Sequence, residues 1–184
     1  VYDWSRLDAQ VAAARAHRAE ITLVLGQTPL FHVAGTARPS CALAPSAFCS
    51  RLATGSANAP REAAWTAYVS AVAARYAGQI RNLQVWNEAN VVGYWNGGAA
   101  AMARLTYLTR VAVGARMRIL APAMVARSGG AFFASYWKQK VAGRTMNSLV
   151  DAVSLSLYPS ATGKPEDAMT LLAALGDVRT QVAG

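Results

Sequence analysis

Hydrophobic positions along this chain switch repeatedly between two periods. Trp4, Leu7, Val11, Ala14 and Arg18 fall on a helical repeat, with Asp3 or Ser5 placed to cap its start. Ile21 to Leu25 is then a short run of β-branched residues and leucine, ended by Gly26 and Pro29, which predicts a buried strand. A long loop from Thr28 to about Pro60 follows, and Trp65, Tyr68, Val69, Val72 and Tyr76 return to helical spacing, with Gly78 as the stop. Leu83 to Trp86 predicts a strand, Ala99 to Val113 a helix with Met102, Leu105 and Leu108 on one face, and Met117 to Ala121 a strand stopped at Pro122. Phe132 to Val141 predicts a helix, Val150 to Leu157 a strand, and Pro165 to Val182 a last helix with proline near its first position.

Four strands separated by helices imply parallel strands joined by right-handed crossovers. The fold class is therefore α/β, as a doubly wound sheet or part of a β/α barrel, in one domain over residues 1–184. No glycine-rich fingerprint follows any strand; Gly97-Gly98 and Gly129-Gly130 read as helix-start turns, so no nucleotide cofactor is expected.

Composition narrows the partners. Lys and Arg total 18 against 9 Asp and Glu, a net charge of +9. The arginines are scattered along predicted helices rather than gathered into a stripe, which argues against a nucleic-acid interface. No apolar run approaches the ~18–20 residues that cross a bilayer, and Val1-Tyr2-Asp3-Trp4 has no signal-peptide character, so a membrane is not an expected partner. Cys41 and Cys49 are the only cysteines, and with His17 and His32 off ligand spacing they make no metal site. A disulfide between them, in an exported protein, is the expectation; two free thiols are the alternative.

In parallel β/α folds the reactive groups gather at the carboxyl ends of strands. Asp3, Asp8, Glu20, Glu62, Glu166, Asp167 and Asp177 lie in or beside predicted helices, and Asp151 begins a strand at the opposite end. Glu88 differs. It directly follows an apolar strand, between Asn87 and Asn90, with Trp86 behind and Tyr94-Trp95 ahead. A carboxyl walled by aromatics is desolvated, which favours its protonated form and suits it to donate a proton. Breaking a glycosidic bond needs such a donor, because the sugar alkoxide leaves poorly. A strand-end carboxylate paired with arginine is the bland alternative.

The run Val85-Trp86-Asn87-Glu88-Ala89-Asn90 with Tyr94-Trp95 resembles the fourth-strand signature of the large clan of retaining (β/α)₈-barrel glycoside hydrolases. It is most similar to glycoside hydrolase family thirty-nine, of β-xylosidases and α-L-iduronidases. In that clan a proline usually stands at the position of Ala89. Leu25 to Pro29 resembles the end of the third strand, Ala121-Pro122 that of the fifth, and Val153 to Pro159 the sixth, with Ser156 where a histidine is common. The resemblance implies a partial barrel of four strands, the third to the sixth. It also implies Glu88 as general acid/base, Asn87 as partner of the sugar 2-hydroxyl, and Tyr158 facing the nucleophile. Tyr94, Trp95, Asn90 and His32 are further candidates for touching the carbohydrate.

A retaining enzyme needs a second carboxylate about 5–5.5 Å from the first. The clan draws it from the seventh strand, so the nucleophile is expected outside these residues, and the residues alone are expected to be inactive. The competing expectations are a carbohydrate-binding barrel without catalysis and a basic α/β domain binding an acidic polymer.

Overall fold

The computed structural model describes residues 2–35, 56–125 and 130–156. Helix α1 (Ser5–Ala16) starts where expected, and Asp3 Oδ1 accepts the Ser5 backbone N–H at 3.0 Å, satisfying one of the amides a helix start leaves open. Its C-terminus closes through Arg18, which takes a left-handed φ of 53° while Ala19 N–H reaches back to Ala14 O at 2.9 Å. This is the glycine-type helix stop built on an arginine.

Strand β1 (Thr22–Val24) pairs in parallel with β2 (Asn82–Gln84), and β2 with β3 (Arg118–Leu120), so β2 is central. Helices α2 (Glu62–Arg75) and α3 (Gly98–Val113) make the connections. The α/β class and the parallel order follow the hydrophobic pattern. β1 departs from it: Val24 is 46% exposed and Thr22 is exposed, because β1 is the edge of its sheet and one of its faces is open.

Beyond Pro122 the chain stays extended as β4 (Met124–Val125), where the sequence predicted a stop. Helix α4 (Gly130–Trp137) is shorter than its pattern. Lys140–Val141 (β5) turns back as a hairpin onto Arg144–Thr145 (β6) through Ala142 and Gly143, with φ of 49° and 74°. Two successive left-handed residues are what the twist of a tight hairpin demands, and alanine hid the signal. The segment after the hairpin joins β3 through the Leu120–Ala152 bridge and then pairs β4 in parallel as β7 (Leu155–Ser156). The fourth expected strand is thus present, broken into short pieces. The predicted helix from Pro165 lies outside the described residues.

Side chains on the helix-facing side of the strands, Leu25, Leu83, Val85, Ile119 and Ala121, are fully buried with Val69 and Val72 of α2 and Met102 of α3. The indole N–H of Trp65 donates to Thr109 Oγ1 at 3.0 Å, tying α2 to α3. Tyr136 of α4 shares a 3.0 Å hydrogen bond with Thr106 of α3, and its burial pushes the phenol pKa well above the usual value. On the opposite side of the sheet Gln84 donates to Trp86 O at 2.9 Å and accepts from Ser154 at 2.7 Å, so a polar link crosses from the central strand to the last.

Among the described residues four arginines are paired with carboxylates: Arg75 with Asp8, Arg81 with Glu20, Arg104 with Glu62 and Arg110 with Asp151. These pairs lie at the surface and leave the net excess of basic charge unchanged.

Candidate active site

The chain continues the β2 ladder past Gln84. Val85 N–H donates to Leu120 O at 3.2 Å, and Trp86 O accepts from Ala123 N–H at 2.9 Å. Ala89 N–H then donates to Ala123 O at 3.0 Å, so residues 86–89 are fixed against the segment between β3 and β4. Glu88 lies inside that bracket with a left-handed φ of 47°. A non-glycine residue held there stores backbone strain that the surrounding hydrogen bonds must hold, a condition common at functional sites.

Glu88 is 7% exposed and is the buried carboxylate among the described residues. The others have the surface addresses their sequence positions predicted. Asp8, Glu20, Glu62 and Asp151 bind arginines, and Asp3 caps α1. Hydrogen bonds from Arg75 and Tyr76 hold the Asp8 carboxyl below the usual range. Burial works against ionising Asp151, but the Ile119 backbone N–H and Arg110 outweigh it and hold that carboxyl low as well.

Asn87 and Tyr94 meet at one cavity of about 270 Å³, with Val24, Leu25, Gly26, Gln27, Ser56, Trp86 and Gly93. Glu88 is the next residue along but is not one of that cavity's walls. Trp86 is the pivot of the region. Its ring stands against Trp65 at 5.9 Å and Trp95 at 5.0 Å, and its indole N–H donates to Tyr94 O at 2.9 Å, drawing the loop back over the strand end.

Two candidates take positions other than the expected one. Trp95 is 2% exposed, edge-on to Trp86, with its N–H on Gly98 O at 2.8 Å, so it packs beneath the site and offers no face to a sugar. Aromatic character near the motif signalled burial rather than a platform. Asn90 uses both atoms of its amide on the Val125 backbone, accepting at 2.8 Å and donating at 3.3 Å. It anchors the turn after Glu88. Tyr158, Cys41 and Cys49 lie outside the described residues.

His32 belongs to a second cavity, of about 480 Å³, walled by Tyr2, Gly26, Gln27, Thr28, Pro29, Phe31, Pro60, Ala64, Trp65 and Tyr68. Arg61 Nη2 lies 3.1 Å from His32 Nδ1 and donates to Phe31 O at 2.7 Å. Arginine only donates, so Nδ1 accepts and the ring proton sits on Nε2. The sequence reading did not single out Gln27, Tyr2, Phe31 or Tyr68, which line this cavity. The helical repeat assigned Tyr68 to the core, yet it is only partly buried; Gln27 carried the single cue of standing beside Thr28-Pro29 at a strand end.

No protein-family model matches the chain, and no curated protein matches it in sequence. Among solved structures it is similar in fold to a monomeric β-xylosidase from Caulobacter crescentus CB15. The TM-score is 0.69 at 22% identity, over 99% of this chain and 38% of that one. The likeness is one of fold. This chain thus spans 38% of the length of the xylosidase chain. Among the described residues no group of three or more His, Cys, Asp or Glu is placed to hold a metal, and no helix is long and apolar enough to cross a membrane.

Proposed function

We propose that this chain is the acid/base half of a retaining glycoside hydrolase built on a (β/α)₈ barrel, of the kind found in family thirty-nine. The observation that carries the reading is Glu88: a buried carboxylate at the carboxyl end of the central parallel strand, next to a cavity walled by Asn87 and Tyr94. The fold shared with a β-xylosidase supports it.

In this reading Glu88 gives its proton to the departing glycosidic oxygen as the bond to the anomeric carbon breaks. A second carboxylate, from chain beyond these residues, forms the glycosyl ester; Glu88 then takes a proton from the water that hydrolyses it. Asn87 binds the hydroxyl beside the reacting carbon, and Tyr94 borders the sugar.

Glu88→Ala in the full-length protein is the test. With a leaving group that needs no proton, such as a dinitrophenyl glycoside, ester formation survives and breakdown becomes slow. Azide, which needs no general base, then restores turnover and yields a glycosyl azide of retained configuration. Unchanged hydrolysis of unactivated glycosides by the variant refutes Glu88 as acid/base. Sugar binding without turnover in the unaltered full-length protein favours a binding barrel instead.

A further inference from the structure

Gly26 and Gln27 line both cavities, so the space beside Asn87 and Tyr94 adjoins the space among Tyr2, Phe31, His32, Trp65 and Tyr68 at this dipeptide, at the end of β1. Gln27 carries a left-handed φ of 59° and is exposed. The ends of adjacent strands β1 and β2 therefore each hold a non-glycine residue, Gln27 and Glu88, in the left-handed conformation that side chains rarely adopt. In each case that residue borders the groove or follows one of its walls.

The wider cavity has the size of a small-molecule site. Its rim is aromatic, formed by Tyr2, Phe31 and Tyr68. The rim is also held in place. Ala34 N–H donates to Ala59 O at 2.9 Å, Arg61 N–H to His32 O at 2.8 Å, and Thr28 Oγ1 to Asn58 O at 2.6 Å, so the strap from Thr28 to Ala34 is laced to residues 58–61. Tyr68 is backed by Trp4, whose ring is nearly parallel to it at 6.4 Å.

Residues with polar side chains are among the walls of this cavity: His32, Gln27, Tyr2 and Tyr68. Aromatic walls interleaved with donors match a pyranose, whose C–H face stacks and whose hydroxyls need partners; a flat aryl group would leave the donors unpaired.

We propose that the Tyr2–Phe31–His32–Tyr68 cleft is a second sugar-binding subsite, adjoining the Asn87 cavity at Gly26 and Gln27. The protein then takes a ligand of at least two sugar units. This rests on the glycosidase reading of the Glu88 site and extends it to substrate length.

The test is titration calorimetry of the full-length protein in a Glu88→Gln background, which blocks turnover, with xylo-, cello- and manno-oligosaccharides of one, two and three units. The expected result is a disaccharide binding tighter than its monosaccharide. Phe31→Ala reduces that gain by about threefold to tenfold, the worth of one stacking contact. Tyr68→Phe, which keeps the ring and so the packing, reduces it by a smaller factor. Affinity independent of chain length, or a gain untouched by both variants, overturns the second subsite while leaving the Glu88 reading intact. Absence of binding by every series overturns both.

Discussion

Asn90 grips Val125 as a backbone segment would, its Oδ1 accepting the Val125 N–H at 2.8 Å and its Nδ2 donating to the Val125 carbonyl at 3.3 Å. The pair joins the turn that carries Glu88 to strand β4, the partner of β7. Asn90→Ala leaves both Val125 groups to find water and is expected to cost about 1–2 kcal/mol. Asn90→Asp keeps the acceptor and should recover part of that loss. Because the side chain positions the turn, kcat should fall more than KM rises; an equal effect on KM alone would instead mark Asn90 as a substrate contact.

The left-handed backbone at Glu88 can be weighed separately from its carboxylate. Glu88→Ala and Glu88→Gly both remove the acid, but only glycine adopts a φ of 47° without cost. The glycine variant should be the more stable by about 1 kcal/mol in urea unfolding. Equal stabilities would show that the turn relaxes on losing the carboxylate and holds no strain.

Arg18 presents the same backbone far from the site, at the end of α1, with a φ of 53°. Arg18→Gly is expected to stabilise the fold by about 1 kcal/mol, seen as a higher Tm, with turnover and ligand affinity unchanged. A loss of stability would mean that the arginine side chain contributes more than its backbone costs.

Asp8 and Asp151 both have folded pKa values below the ordinary 3.8. A lowered value in the folded state stabilises the protein at pH values above the unfolded pKa, and that contribution is lost as pH falls through the folded one. Stability should therefore drop below about pH 4, and the drop should be shallower in Asp8→Asn and Asp151→Asn, read as Tm against pH. Parallel curves for variants and parent would assign the acid transition to other carboxylates.

Periodicity located the α-helices among the described residues and the order of the parallel strands, because burying one helix face or one strand run leaves a repeat that survives in a single sequence; it missed the short 3₁₀ turns Leu30–His32 and Met146–Ser148. It did not foresee the open face of Val24, since an apolar residue reads the same at a sheet edge as in its centre. Nor did it foresee the hairpin at Ala142-Gly143, where the left-handed alanine replaces the asparagine or glycine that signals such a turn. At the site, the sole acid following an apolar strand stood out, and its neighbours did not sort themselves. Trp95 and Asn90 have the chemistry of sugar contacts, yet Trp95 is buried against Trp86, and Asn90 spends one acceptor and one donor on the Val125 backbone. Which of two roles a tryptophan or an asparagine takes depends on what the fold brings against it, and that information lies in distant residues.

Trp86 gives the molecule a built-in optical probe. Its indole is shielded from water, stands within 6 Å of the rings of Trp65 and Trp95, and still borders the cavity that holds Asn87 and Tyr94. Trp65 in turn walls the wider cleft. Three indoles so closely spaced share excitation, so a sugar entering either compartment would perturb one emitting unit. Ligand arrival could then be followed by the protein's own near-ultraviolet light, with no label attached.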